Sequence, residues 1–392
     1  MFILLFLILC LLLSGCWDRR ELNELAITGA IGIDKVDEGY QVTAQVVIPS
    51  EVSMKASTGR TSVTLFQESG ETVYEALRKL TKDSPRKIYP GHLLMLVLSE
   101  ELAEEGIGES LDLLARDWEL RSDFFVVIAK DLTAGEVLNV STTLEAIPAN
   151  KMFNTLKTSE GAWAATNGIN LDELIADLTS DGKEAVLTGI FVEGNQEIGS
   201  TNQNVESITP PAQIQYDELA VFKKDKLVGW LTEQESRGYN DIINAVENTV
   251  SVISCPNEGK ATIEFINLKT EMKGKIINGK PEVDINTKVR ANVGEVECPI
   301  ELNEQTISEF EKITEKKMKN TINDTIETLQ QKYESDIFGF GSAIYRSNPK
   351  EWKKIKKQWN EEFSDVTTNV KVDVKINYTG TVGKSFLEEI GK

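Results

Sequence analysis

Residues 1–13 are apolar without a break and run into Ser14-Gly15-Cys16, after which Trp17-Asp18-Arg19-Arg20 opens an ordinary mixed sequence. Beyond that leader, short apolar runs alternate with helical stretches. The pattern predicts strands near 26–34, 40–49 and 61–68, a helix over 72–82, a strand at 93–98, a helix at 108–117 and a strand at 124–130. Strands and helices in this mixed order suggest packing in two layers. The polar stretch 50–62 carries too little apolar surface to pack and reads as a mobile surface loop. Helices at 150–157 and 171–178 lead to an apolar strand at 185–192. Residues 194–211, rich in Asn, Gln, Ser and Thr and ending in Pro210-Pro211, read as a long loop or linker. Strands at 213–222 and 227–231 follow, then a helix from Thr232 to about Val246, where Thr232 and Glu235 fit a capping box.

The last third has the clearest periodicity. Val283, Ile285, Thr287, Val289, Ala291 and Val293 alternate with polar residues, and the same two-residue period returns at Val370, Val372, Val374, Ile376 and Tyr378. Each strand therefore turns one face to water and one to a core. The core partner is a helix over 304–334, roughly 45 Å long at about 1.5 Å per residue. Its Ile307, Phe310, Ile313, Met318, Ile322, Ile326, Leu329 and Tyr333 form one stripe. A second helix from Asn348-Pro349 carries Trp352, Ile355, Trp359 and Phe363 on one side and lysines elsewhere. An interfacial helix that dips tryptophans into headgroups is one reading. Burial of the aromatic stripe against the sheet is the ordinary one, and the sequence favours it.

The fold class expected is α+β: a multidomain, mixed α/β chain with antiparallel-rich sheets covered by helices, ending in an antiparallel sheet under a long helix. The expected division is a leader at 1–15, an N-terminal α/β domain at 16–131, a middle α/β domain at 132–248 with the polar loop 194–211, and a C-terminal domain at 249–392.

The leader decides the compartment. Leu13-Ser14-Gly15-Cys16 has the form of a bacterial lipobox, in which small residues precede a cysteine that is diacylated and becomes the new N-terminus. As a membrane span the run is too short, since 15 residues rise only roughly 22 Å against a hydrocarbon core of roughly 30 Å. No Lys or Arg precedes it, as leaders normally require, and an upstream start codon would supply that charge. Each acyl CH₂ contributes roughly 0.8 kcal/mol, so two or three chains on Cys16 anchor the protein without a further hydrophobic segment.

The net charge of −20 excludes a nucleic-acid binder and leaves the attachment to lipid rather than to electrostatics. The single histidine, His92, supports neither a His-based metal site nor a Ser/His/Asp triad, and is expected in a strand near a sheet edge. No Gly-x-Gly-x-x-Gly, Walker loop, nucleophile elbow or Cys-x-x-Cys occurs. Gly339-Phe340-Gly341-Ser342 reads as a tight turn between helices, and the acidic pairs Glu100-Glu101, Glu104-Glu105 and Glu361-Glu362 as solvated faces. No catalytic residue, metal or cofactor is expected. Besides Cys10 and Cys16, only Cys255 and Cys298 remain, each followed by proline. A disulfide suits an oxidising compartment, but an intervening strand would hold the two about 10 Å apart, past the roughly 7 Å Cα limit. A bridge and two buried thiols both stay open.

In order, Cys16-Trp17-Asp18-Arg19-Arg20-Glu21-Leu22-Asn23-Glu24-Leu25-Ala26, Gly29-Ala30-Ile31-Gly32-Ile33-Asp34, Gly91-His92-Leu93, Arg116-Asp117-Trp118-Glu119-Leu120-Arg121, Gly229-Trp230-Leu231, Asp336-Ile337-Phe338-Gly339-Phe340-Gly341 and the Trp352 and Trp359 helix span the mature chain. Together they resemble the C subunit of nutrient germinant receptors, the Ger(x)C lipoproteins of endospore-forming bacteria. The resemblance implies a three-domain mixed α/β lipoprotein, lipidated at Cys16, on the outer side of the spore inner membrane. It implies work with an A subunit and a multispanning, permease-like B subunit that sense amino acids, sugars or nucleosides, and it implies no enzymatic activity. Whether this subunit binds a small molecule is left open. The competing reading, a solute-binding lipoprotein of a membrane transporter, predicts two α/β lobes around a cleft. An anchored hydrolase lacks a nucleophile and base.

Overall fold

The computed structural model describes residues 21–53, 59–255, 258–298 and 300–378. The first part of the chain supplies β1 (Leu25–Val36), β2 (Gly39–Val47), β3 (Val63–Gly70), β4 (Lys87–Tyr89), β5 (Met95–Ser99), β6 (Phe125–Ala129), β7 (Val186–Gly194), β8 (Ala212–Lys223) and β9 (Lys226–Leu231). They form a single sheet in the order β3-β2-β1-β5-β6-β7-β8-β9, with β4 beside β1. The middle strands β1, β5, β6 and β7 are mutually parallel, and the flanks are antiparallel hairpins. The parallel centre follows from sequence: Met95-Leu-Val-Leu-Ser99 and Phe125-Val-Val-Ile-Ala129 are unbroken apolar runs, as strands covered on both faces require.

Helices do cover both faces. Ile31, Ile33, Leu96, Leu98, Val126 and Ile128 pack under the helices Val73–Lys79, Glu100–Glu105, Gly108–Arg116 and Leu171–Leu178. Met95, Val97, Val127 and Ala129 pack under Ala134–Leu138 and Pro148–Ala162 on the other side. The expected two layers are therefore three, because alternate residues of each central strand are apolar on both faces. The sheet runs on across residue 131, so the expected division between 131 and 132 falls inside it, between β6 and the next helix. A two-lobed architecture around a cleft is not what the sheet forms.

Buried polar side chains tie helices to this sheet. Asp34 on β1 accepts from the backbone N–H groups of Ala134 (2.6 Å) and Gly135 (3.1 Å). Gln45 on β2 donates to Leu138 O (2.8 Å) and accepts from Ala149 N (2.9 Å), serving two helix ends at once. The segment 194–211 is no loose linker. It holds two short helices, Gln196–Gly199 and Gln203–Glu206, and buried Asn204 donates to Ser141 O (2.8 Å) and Ala212 O (3.0 Å) while accepting from Ala212 N (2.8 Å). One side chain thus replaces the core that the composition lacks. The polar stretch 50–62 begins inside a helical turn, Pro49–Ser53, and its residues 54–58 lie outside the described residues. His92 sits exposed in the turn before β5 rather than in a strand, because Leu93 N donates to Pro90 O (2.9 Å) and closes the turn around Gly91-His92.

The second sheet orders β10 (Thr249–Ser254), β11 (Lys260–Ile277), β12 (Lys280–Val296) and β13 (Thr367–Tyr378) as β10-β11-β12-β13. β11 and β12 form a long antiparallel hairpin, closed by Asn278 and Gly279, both at positive φ (52° and 81°). β13 pairs parallel to β12, which corrects the all-antiparallel expectation for this domain. The reason is the crossover: the chain leaves β12 at Val296, runs through helices Glu304–Thr328, Phe340–Ser347, Pro349–Ile355 and Trp359–Phe363, and re-enters at the end where β12 begins. The long helix covers the sheet with Phe310, Met318, Ile322 and Ile326, and its last turn, Leu329–Tyr333, widens to a π-helix before ending at left-handed Glu334. The Trp352 helix is broken at residues 356–358. Both Trp352 and Trp359 are buried in the same core as Phe363, so they do not form a membrane-facing stripe.

Candidate functional site

The expected site residues fall in different places. Cys16, with the whole leader, lies outside the described residues. Cys255 and Cys298 meet, with Cα atoms 6.3 Å apart, inside the reach of a disulfide. The objection of an intervening strand fails because both residues lie beyond the ends of β10 and β12 and fold over the first residue of β11. Cys298 Sγ sits 3.4 Å from Lys260 O, and Cys255 N donates to Gly259 O (3.1 Å). Of the acidic pairs read as solvated, Glu100 is engaged: it accepts from Trp230 Nε1 (2.6 Å) and from Asp131 N (3.0 Å), fastening β9 to the loop after β6.

The Gly339 loop is more than a tight turn. Gly339 adopts the left-handed conformation (φ 78°), so the following amides converge on one point. Asp336 occupies that point and is 1% exposed. Its Oδ1 accepts from Gly339 N (2.9 Å) and Phe340 N (3.0 Å), and its Oδ2 from Gly341 N (2.9 Å) and Trp359 Nε1 (2.9 Å). The loop thus holds the chain's own carboxylate where a phosphate loop would hold a phosphate. Burial pushes the Asp336 carboxyl up to about 6, against the pull of those four donors. The same loop clamps the two sheets together. Glu184 N donates to Asp336 O (2.8 Å), Ser342 N to Gly182 O (3.0 Å), and Ser335 Oγ to Phe222 O (2.5 Å). Gly341 and Gly182 pack so closely that a Cβ on Gly341 would stand 2.7 Å from Gly182 Cα.

A groove of about 760 Å³ opens between the segment 74–90 and the helix end at 113–120. Trp118 stands at its rim, 80% exposed, among Arg78, Arg86, Arg116 and Lys87. Lys87 pairs with Glu119, and Arg116 with Asp112 (2.8 Å). Lys87 also faces Leu25 across the β4–β1 ladder, so the groove lies where the N-terminal segment enters the fold. In the sequence Arg116-Asp117-Trp118 stands out only as a family motif, because nothing local distinguishes an exposed tryptophan from a core one. No helix among the described residues is long and apolar enough to cross a membrane.

Two family models cover most of the chain: a spore germination protein N-terminal domain over residues 18–192, and a spore germination B3/GerAC-like C-terminal domain over residues 217–380. Spore germination protein KC of Bacillus subtilis (strain 168) is 31% identical over 96% of this chain and 95% of its own length. Spore germination protein B3 of the same organism is 26% identical over 95% and 96%. The crystal structure of the GerBC protein superposes with a TM-score of 0.54 at 19% identity, covering 88% of this chain and 96% of that one, and so shares the fold. With both family domains in order and a relative matched from end to end, the chain belongs to the Ger(x)C family of spore germination proteins.

Proposed function

We propose that this chain is the lipid-anchored, non-catalytic C subunit of a spore germinant receptor, held on the extracytoplasmic face of the spore inner membrane by acyl chains on Cys16. It acts through contacts with membrane-embedded partner subunits. The observation that carries this reading is the end-to-end likeness to spore germination proteins together with a cysteine placed directly after an apolar leader. Nine residue steps separate Cys16 from Leu25, at most roughly 30 Å of extended chain. The Trp118 groove beside Leu25 therefore stays close to the bilayer, within reach of an embedded partner. Its exposed tryptophan and arginines are the residue types that dominate protein interfaces. Deleting the gene tests the reading: spores should form normally yet fail to germinate on a subset of nutrients. An unaltered response to every nutrient would refute it. Trp118→Ala in the tagged, full-length protein should reduce the embedded subunits recovered with it, without loss of the membrane-bound pool.

A further inference from the structure

Where the helix Glu233–Ile243 meets the second sheet, a cavity of about 420 Å³ lies between that helix, Trp163, the edge strand β10 and the long helix. Asp241 lines it. The residue is 8% exposed, and its carboxylate makes no hydrogen bond or ion pair among the described residues, while its peptide oxygen accepts from Thr270 Oγ1 (2.6 Å). A carboxylate this largely enclosed, with no protein donor, is costly to ionise unless something in the cavity compensates it. Burial pushes this carboxyl up to about 7, with Arg237 one turn away pulling the other way.

Of the other charges that line the cavity, Glu233 is exposed to solvent and the two cations are fixed. The Arg237 guanidinium lies 4.9 Å over the Trp163 ring and donates to Thr249 Oγ1 (2.7 Å) and Val250 O (2.5 Å). Lys317 Nζ donates to Val252 O (2.7 Å), and burial together with Arg237 holds that ammonium below its ordinary value. Both cations are thus pinned along the outer edge of β10, and each retains donors that these bonds do not use. Phe265 and Met318 supply apolar wall. A simple amine would meet Asp241 but be repelled by two cations. A simple anion would meet the cations but be repelled by Asp241.

We propose that this cavity binds a small amphoteric molecule, with its ammonium on Asp241, its carboxylate on Arg237 and Lys317, and its aliphatic body against Phe265 and Met318. Occupancy of this cavity does not depend on how the protein is anchored. The test is calorimetric titration of the full-length protein in detergent with γ-aminobutyrate and ε-aminocaproate, and with butylamine and butyrate as single-charge controls. At least one amphoteric probe should bind saturably, and the single-charge controls about tenfold or more weaker. A charged hydrogen bond is worth about 1.5–3 kcal/mol, so Asp241→Asn should weaken binding about ten- to a hundredfold. Lys317→Met should weaken the amphoteric probe and strengthen butylamine, a crossed response that a merely structural lysine would not give. Absence of saturable binding by both amphoteric probes, equal binding of the controls, or an Asp241→Asn chain that folds and binds like the parent would overturn the proposal.

Discussion

Replacing Asp336 tests whether one buried carboxylate holds the two sheets together. Asp336→Ala leaves three backbone N–H groups and the Trp359 indole N–H without an acceptor in a site that excludes water. At about 1–3 kcal/mol for each stranded donor the loss is roughly 4–12 kcal/mol, non-additive, against a total domain stability of about 5–15 kcal/mol. Asp336→Asn separates hydrogen bonding from charge. It keeps one oxygen for two of the donors and turns an NH₂ group toward the other two, costing roughly 2–6 kcal/mol. It also removes the penalty for ionising a buried acid, about 3 kcal/mol for a shift from 3.8 to about 6. At pH 8 the two effects leave Asn between about 1 kcal/mol more stable and about 3 kcal/mol less stable than wild type, with Ala the least stable of the three and Trp359→Phe losing only one donor and about 1–2 kcal/mol. Urea unfolding followed by near-ultraviolet circular dichroism reads this order through the buried Trp352 and Trp359. An Ala variant with an unchanged midpoint, or one as stable as the Asn variant, would show that the amide cradle is not what fastens the domains.

Three further outcomes are expected. Asp241 has a folded value of about 7 against 3.8 unfolded, so the native state binds the extra proton and stability falls as pH rises through that window. Asp241→Asn should gain on wild type by up to about 4 kcal/mol between pH 4 and pH 8, and a pH-independent gap in melting temperature would contradict the assignment. Cys255 and Cys298, 43 residues apart in sequence, should appear bridged on non-reducing peptide maps, and Cys298→Ser should cost about 4 kcal/mol of loop-closure entropy. Free thiols under native, oxidising conditions would exclude the bridge. Cys16→Ala should abolish incorporation of labelled fatty acid and leave a precursor or a released body, whereas a processed, still-attached variant would exclude the lipid anchor.

Much of the fold was legible because local pattern and tertiary role agree. The helix Leu171–Leu178 and the Thr232/Glu235 capping box occur where periodicity and cap chemistry place them. β11 was not legible, because bulges at 262/263 and 265/267 shift its register. Its buried positions run Ala261, Ile263, Phe265 and then Leu268, Thr270, so the alternation changes phase within the strand. Asn278-Gly279 was the available hairpin signal. The parallel entry of β13 could not be read either, since alternation reports a half-buried face and not a direction. At the candidate sites, the aromatic stripe of Trp352 and Trp359 was legible as core. Asp336, Asp241 and Glu100 were not, because an acidic residue in sequence looks solvated until residues more than 20 positions away, such as Trp359 or Trp230, are brought onto it.

The late, parallel arrival of β13 has a consequence for synthesis. Until the chain has been made through Tyr378, the 17-residue β12 has one side without a strand and an apolar face without its full cover. A chain stopped before Thr367 would present that rim to other copies of itself, so shortened products should aggregate rather than accumulate as folded fragments.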